Sequence, residues 1–390
     1  MSNLHNGLRV SQCSLFPGDE YWQSDDPLLT DAQLVLFFGP TDRLNNEDVA
    51  ASLRQKYPSA ILAGCSTGHV ILHDDIDDRR VSATALQFSK CRVQAASVVI
   101  DSAESSERCG ERLANDLAKD DLRLVIVLSQ GLSVNGDKLV RGLSSVLPPA
   151  VEIVGGLAGD GPRFEKTIVC LNDHRATDTV VAIGIYGEAL GVGQGWAGGW
   201  NVFGPQRTIT DSDGATLKEI DGHRALDLYI KYLGDEADAL PGSALLYPLQ
   251  IWDPQSDAEP VVRTILSIDE EERTMTFAGD IPVGWNAQLM VGHQGSLVEG
   301  ARNALANAMD GRQDHGVAGD RLNLLVSCVG RQLCMQSHTS DEVMEIQRFS
   351  PPGTKMAGFY SYGEIASHGG ASTTGLLNQT MAVTHLWERI

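Results

Sequence analysis

The sequence predicts an α/β fold, with mixed β-sheets flanked by helices and the chain divided into two domains. Two observations carry this. Apolar runs of strand type alternate with stretches of helical period, and several of those runs open into loops of small or polar residues. The densest such loop is Val154-Gly155-Gly156-Leu157-Ala158-Gly159-Asp160-Gly161-Pro162-Arg163-Phe164, which follows the apolar run Val151–Val154. Glycines at a strand end leave backbone amides uncovered, in the place where α/β proteins hold ligands.

In chain order, Gln33–Phe38 reads as a buried strand and Asn46–Tyr57 as a helix, with Asn45 or Asn46 as cap and Val49 and Leu53 on one face. A second strand, Ala60–Ala63, runs into the small-residue loop Gly64-Cys65-Ser66-Thr67-Gly68-His69. Val81–Phe88 and Val93–Val99 read as a pair of strands, and Ser105–Leu117 as an amphipathic helix. The continuous apolar run Leu122–Leu128 ends in the polar loop Ser129–Gly136, and the helix after it, Asp137–Leu147, is stopped by Pro148-Pro149. Strands side by side would bring the loops 64–68, 129–136 and 155–161 to one rim. Beyond Phe164 the chain is strand-rich, and the glycine-rich segment 191–199 beside Trp196 and Trp200 leads to a boundary near 200–212. The first domain is expected over 30–210 and the second over 211–390. The second contains helices at 224–233 and 295–309, a strand pair near 261–268 and 275–277, the buried strand Leu322–Val329, and a last strand at 380–386. No internal repeat stands out.

A chain of 390 residues with 42% hydrophobic content can bury a substantial core. Its net charge of −21 and its lack of a Lys/Arg cluster argue against a nucleic-acid partner. Seven scattered cysteines without a CxxC pair suggest neither a disulfide framework nor a zinc ribbon. Nothing at the N-terminus resembles a secretory signal, and no apolar run approaches the roughly 20 residues of a membrane span. These features predict a cytoplasmic protein with no membrane partner.

Eight segments together resemble one family. They are Gly64-Cys65-Ser66-Thr67, Gly155 to Gly161, Gly195 to Gly204, Asp221 to Leu226, Gly279-Asp280-Ile281-Pro282, Ser327-Cys328-Val329-Gly330-Arg331, Gly358 to Ile365 and Asn378-Gln379-Thr380. In this order they look like a FIST protein, its N-terminal and C-terminal halves in tandem. The resemblance implies a sensory, ligand-binding module of bacterial signal transduction and not an enzyme. It also implies kinship with stand-alone members that bind haem, sense nitric oxide and regulate a partner histidine kinase. Two departures touch the implied site: Gly68-His69-Val70-Ile71 replaces a small residue followed by Gly-Glu-Ile, and Leu377 stands where a histidine is common.

Under that resemblance the ligand contacts are expected from Gly64, Cys65, Ser66, Thr67, Gly155, Gly156, Asp160, Gly161, Arg331, Tyr362, Gly363, Glu364 and Asn378. Asp160 and Glu364 suit an amino group, Arg331 suits a carboxylate in a forked geometry, and Trp196, Trp200, Tyr360 and Tyr362 suit a planar ligand. Haem iron requires a neutral imidazole. His368, in the loop Ser367-His368-Gly369-Gly370, is the first choice, with His69 and His385 in reserve. The bland readings are a surface histidine at 368, a structural ion pair at Arg331, and aromatics that fill a core. Two alternatives remain open: an amino acid or similar metabolite in place of haem, and an enzyme with Cys65 as nucleophile and His69 as base. The spacing of Gly155-Gly156-Leu157-Ala158-Gly159 does not suit a dinucleotide site.

Overall fold

The apolar runs become strands where the sequence places them, and they sort into three six-stranded sheets and one eight-stranded sheet. The computed structural model describes residues 7–240, 242–257, 260–310, 317–368 and 373–389. The first stretch comprises β1 (Arg9–Leu15), β2 (Leu34–Gly39), α1 (Thr41–Asn46), α2 (Val49–Lys56), β3 (Ile61–Ser66), the hairpin β4 (Val70–Leu72) and β5 (Asp75–Asp77), and β6 (Val81–Gln87). The second comprises β7 (Arg92–Val99), α3 (Ser106–Leu117), β8 (Leu122–Ser129), α4 (Gly136–Val146), β9 (Glu152–Leu157), the hairpin β10 (Val169–Leu171) and β11 (His174–Ala176), and β12 (Thr179–Tyr186). After β13 (Leu190–Ala197) the chain builds the eight-stranded sheet: β14 (Asn201–Asp213), β15 (Thr216–Ile220), β16 (His223–Arg224), helix α5 (Ala225–Leu233), β17 (Leu249–Trp252), β18 (Val261–Arg263), β19 (Ile265–Asp269), β20 (Thr274–Phe277) and β21 (Asn286–Val291). It then returns through α6 (Gln294–Met309), β22 (Val317–Cys328), α7 (Val329–Met335), α8 (Ser340–Phe349), β23 (Thr354–Ser361), the hairpin β24 (Gly363–His368) and β25 (Thr373–Leu377), and β26 (Met381–Arg389).

The three six-stranded sheets repeat one plan. Their orders are β1-β6-β2-β3-β10-β11, β7-β12-β8-β9-β24-β25 and β13-β26-β22-β23-β4-β5. In each, one parallel pair forms the centre (β2 with β3, β8 with β9, β22 with β23), and the hairpin that follows it in the chain docks on a different sheet. The first hairpin joins the third sheet, the second joins the first, and the third joins the second. The expectation of no internal repeat is therefore corrected. The repeat escapes the sequence because it needs little beyond strand-forming apolar residues and one glycine per sheet. A β-carbon on Gly64 would lie 2.2 Å from the carbonyl oxygen of Phe37, on Gly155 2.0 Å from that of Val127, and on Gly358 1.9 Å from that of Leu325. Each of these three is the register partner of its glycine.

Other differences have local causes. The helix expected over 46–57 is α2, from Val49 to Lys56; a separate helix, α1, precedes it, and Asp48, not Asn45 or Asn46, caps α2 by accepting from the Ala51 amide. The strands expected to pair, β6 and β7, lie in different sheets, since β6 pairs with β1 and β2 and β7 with β12. Amphipathic α3 and α4 form as expected and approach closely through Gly110 and Gly142, which face the backbone carbonyls of Leu139 and Glu107.

The architecture is α+β, with mixed sheets and a half-barrel formed by the eight-stranded sheet. Residue 210, the expected division, falls inside β14, and the second and third sheets draw strands from both sides of it. The main core lies between the three sheets, where Leu36, Phe38, Leu128, Val154, Leu324 and Phe359 meet. The half-barrel holds its own core around Ile209, Leu226, Tyr229, Ile251 and Phe277.

Candidate functional site

The C-terminal ends of the three parallel pairs meet, and the small-residue loops meet with them. The Ser66 hydroxyl donates to the Gly159 carbonyl at 2.9 Å and accepts from the Ile168 amide. The Ala158 amide donates to the Ser129 carbonyl at 2.7 Å, and the Gly159 amide to that of Ser66 at 3.0 Å. Thr67 Oγ1 accepts from the Tyr360 amide at 3.0 Å. The expected convergence of the loops 64–68, 129–136 and 155–161 is thus met, together with the start of β24. Their contact is close: a β-carbon on Gly68 would lie 2.5 Å from Gly161 Cα, and one on Gly131 2.0 Å from the Ala158 carbonyl.

Asp160 and Tyr362 form the centre of this junction. Asp160 is 1% exposed, and its carboxylate accepts from the Tyr362 hydroxyl and, at 2.9–3.0 Å, from the amides of Phe164, Glu165 and Lys166. Burial would raise its pKa, but the Tyr362 hydroxyl and the three amides outweigh it and hold the carboxyl below its usual value. Tyr362 is also bound by the Gly161 carbonyl and stacks on Phe164 with ring centroids 4.3 Å apart. Asp160 therefore organises its own loop. Gly363 and Glu364 pair with Leu157 and Gly156 on β9. Glu364 is fully buried, with Ser361 on one oxygen and the Thr380 hydroxyl and amide on the other. Burial pushes its carboxyl up to about 7 despite these donors.

Arg331 lies behind the ring, at the start of α7. Its Nε and Nη2 both reach Glu342 Oε2, at 3.0 and 2.7 Å, and its remaining donors reach the carbonyls of Leu297 and Gly198. Glu342 Oε1 takes the hydroxyls of Ser327 and Tyr360, each at 2.8 Å. Arginine and acid are both 0% exposed, and each guanidinium nitrogen and each carboxylate oxygen has a partner. The forked partner of Arg331 is thus a carboxylate of the same chain. Cys65 is 0% exposed, and burial with the neighbouring Cys170 raises its thiol well above the ordinary value. A nucleophile needs the thiolate, so the structure gives no support to a Cys65 nucleophile.

The ring also contains polar atoms whose partners are missing. Gln130 is 2% exposed; its Oε1 accepts the amides of Leu132 and Ser133, which fixes the orientation of the side-chain amide and leaves Nε2 buried without a partner. Asn378 is fully buried; Nδ2 donates to the Leu377 carbonyl and leaves Oδ1 without a partner. A β-carbon on Gly131 would touch the Tyr362 ring at 2.9 Å and one on Gly363 would lie 3.5 Å from Asn378 Nδ2, so the residue after Gln130 and the Asn378 amide both adjoin Tyr362-Gly363. Gln332 Oε1, near Gly68, and Gln379 Oε1, against Gly330, are likewise unpartnered. An unpaired buried polar atom costs about 1–3 kcal/mol, so such a concentration calls for partners, supplied by ordered water or by a ligand. The sequence reading names Asn378 but not Gln130, Gln332 or Gln379 as contacts. An amide side chain directly after an apolar strand, as in Gln130 after Leu122–Ser129, is the available signal.

Two of the expected histidines can be placed. His69 follows Gly68 on the ring; its Nδ1 is buried without a partner, and burial lowers its pKa, so the ring is neutral. His385 lies within β26, its Nδ1 2.6 Å from Asn323 Oδ1. His368 ends β24, opposite Thr373, and its side chain lies outside the described residues. Among the described residues no group of three or more His, Cys, Asp or Glu side chains is placed to hold a metal ion.

The half-barrel closes over one side of the ring. Arg263 donates to the Leu376 carbonyl at 3.0 Å and to Asp137 at 3.2 Å, Gln379 Nε2 donates to the Leu245 carbonyl at 3.0 Å, and Trp200 Nε1 to the Gln379 carbonyl at 2.7 Å. Fold and junction together define an α+β protein in which several unpaired polar atoms lie near the contact of the three sheets with the half-barrel. Family models assign it more closely: residues 33–223 match the FIST N domain and residues 225–367 the FIST C domain, and the chain belongs to the FIST family. FIST domains are associated with sensing of small ligands in signal transduction and are generally non-enzymatic. No curated protein matches the chain significantly. No helix among the described residues is long and apolar enough to cross a membrane.

Proposed function

We propose that this chain is a non-catalytic sensor whose ligand is a small polar metabolite of amino-acid size, bound at the ring of strand-end loops. The observation that carries this is that Gln130 keeps a buried donor, and Asn378 a buried acceptor, without a partner, in segments that both adjoin Tyr362-Gly363. An amino acid supplies the complement, since its carboxylate accepts and its ammonium donates. Asn378 lies between Leu376 and Gln379, whose contacts hold the half-barrel. Ligand that engages Asn378 would bias the docking of that unit and so alter affinity for a signalling partner such as a histidine kinase. The test is thermal-shift screening against the twenty amino acids, followed by calorimetry on Gln130→Ala and Asn378→Ala. A stabilising amino acid whose binding both substitutions abolish supports the reading; no shift with any of them, or binding indifferent to both, overturns it.

Haem for nitric oxide sensing is the second reading, and one observation favours it: His69 offers a half-buried imidazole whose lowered pKa favours the neutral form, with a buried, unpaired Nδ1, as iron requires. The surroundings suit a porphyrin less well. Gly68 touches Gly161 and Gly131 touches Ala158, so a flat macrocycle would have to part these loops. The residues present fit a small polar guest better than haem. Protein supplemented with haem would show a Soret band that moves with nitric oxide and weakens in His69→Ala or His368→Ala if this second reading holds; a colourless protein removes it.

A further inference from the structure

A bulge in the half-barrel opens an apolar groove away from the ring of loops. Strand β14 pairs with β21 through Phe203 opposite Leu289 and again through Arg207 opposite Ala287, so four steps along one strand span two along the other. The extra residues leave the ladder at Gly204, whose backbone is left-handed (φ 74°), and Gln288 pins them by donating from Nε2 to the Gly204 carbonyl at 2.8 Å. Leu289 and, further along β14, Ile209 are buried in the half-barrel core, but Phe203 is left 43% exposed. Beside the bulge a shallow groove lies between the sheet and α5, lined by Phe203, Pro205, Leu228, Tyr232 and Leu289. Leu228 and Tyr232 stand one turn apart on the same face of α5, so the lining follows the helix axis. Arg207 also reaches the groove, but its guanidinium is engaged, donating to the Tyr232 hydroxyl at 2.6 Å and to Asp221 at 3.0 Å.

The unit that carries this groove is strongly acidic. Between Asn201 and His293 stand sixteen aspartates and glutamates against six lysines and arginines, so about half of the net charge of −21 falls on less than a quarter of the chain. Arg207 and Arg273 are paired with Asp221 and Asp227, and the 3-10 turn that follows α5, Gly234–Ala239, exposes Asp235, Glu236 and Asp238 just beyond Tyr232. That field selects the occupant. A second copy of the chain would bring like charge to the groove, as would a nucleic acid or an anionic membrane, whereas a segment apolar on one face and basic on the other brings the opposite sign.

We infer that the groove between the β14 bulge and α5 receives a basic amphipathic helix of a partner protein, whose apolar side chains pack on Phe203, Leu228 and Tyr232. Its place suits an output surface, since Trp200, three residues before Phe203, donates to the Gln379 carbonyl beside Asn378. The inference rests on the sensor reading only in making that partner a signalling protein.

Fluorescence anisotropy of the full chain with a labelled amphipathic peptide of leucine and lysine tests it. Two controls of the same length replace leucine by serine, which keeps the charge, or lysine by glutamate, which keeps the apolar face. The leucine-lysine peptide should bind and neither control should. Phe203→Ser, a change at a half-exposed site, should weaken binding at least about tenfold, the scale of an aromatic anchor. Asp235→Asn combined with Glu236→Gln and Asp238→Asn should weaken it less and flatten its dependence on salt. Met344→Ser, at a comparably exposed apolar residue of α8, and Gln130→Ala should leave binding unchanged, which separates the groove from the rest of the surface and from the ring of loops. The inference is overturned if the leucine-lysine peptide does not bind, if either control binds as well, or if Phe203→Ser or the charge variant binds like the parent. Sedimentation that shows self-association lost in Phe203→Ser would assign the groove to a second copy and overturn it too.

Discussion

Two buried polar centres lie a few residues apart and differ in one respect. Around Arg331 the donors used are met by Glu342, Leu297 and Gly198, and both oxygens of Glu342 are met in turn. Around Tyr362-Gly363, the amides of Gln130, Gln332, Asn378 and Gln379 each leave an atom unpaired. Both centres consist of polar residues at strand ends, so residue type does not separate them. Completeness does: a satisfied network holds the fold together, whereas an unsatisfied one in a folded protein marks a place for something else.

The largest expected effect tests the complete centre. Glu342→Gln leaves the Arg331 charge buried and unpaired, and should cost about 3–5 kcal/mol in chemical denaturation. A loss below about 1 kcal/mol would show that the pair contributes little.

Glu364 provides the next, through pH. Its folded value of about 7 lies above its ordinary 4.5, so the native state keeps a proton that the unfolded chain releases first. Stability from this group is therefore full below about 4.5 and falls as pH rises towards 7, by roughly 3 kcal/mol in all. Melting temperatures of Glu364→Gln between pH 4.5 and 7.5 should show a flatter profile than the parent; parallel profiles would contradict the assignment.

Asp160→Asn comes third, with a loss of about 1–3 kcal/mol, because a neutral amide cannot accept from three backbone amides and a hydroxyl as a carboxylate does. Asp160 has a lowered folded pKa, so its contribution is present above the ordinary value of 3.8 and is lost as pH falls through the folded one. Acid unfolding of the variant should begin from a lower plateau and show a weaker dependence in that range.

The smallest stability change is expected where the binding change is greatest. Gln130→Ala removes an unpaired donor together with the acceptor of the Leu132 and Ser133 amides, and Asn378→Ala an unpaired acceptor together with the donor to the Leu377 carbonyl, so relief offsets part of the loss and each should cost only about 1 kcal/mol. If either destabilises as much as Glu342→Gln, the two centres do not differ in kind and the contrast fails.

Much of this is legible in the chain itself. The runs at 33–38, 122–128 and 322–329 are strands because they consist mostly of aliphatic, β-branched and aromatic residues, and the small-residue loops at strand ends meet on one rim. Motifs name Asp160, Tyr362 and Asn378, and these do meet there. The cap at Asp48 escapes a sequence reading because Asn45 and Asn46 offer the same capping chemistry, and only the break after α1 selects between them. Gln130 escapes it because an amide at a strand end looks the same whether or not its hydrogen bonds are complete.

The sequence by itself determined the strands, the amphipathic helices, the glycine-marked loops and the membership in the FIST family, since each depends on residues close together or in a fixed order. The exchange of hairpins among three sheets was decided only in three dimensions, because a docked strand contributes generic apolar side chains and backbone hydrogen bonds that many partners could satisfy. The same holds for the centre of the molecule. Whether Arg331 is a ligand contact or half of an ion pair, and whether an amide is paired or waiting, depends on neighbours up to hundreds of residues away in the chain, and only their arrival sets the balance of donors and acceptors.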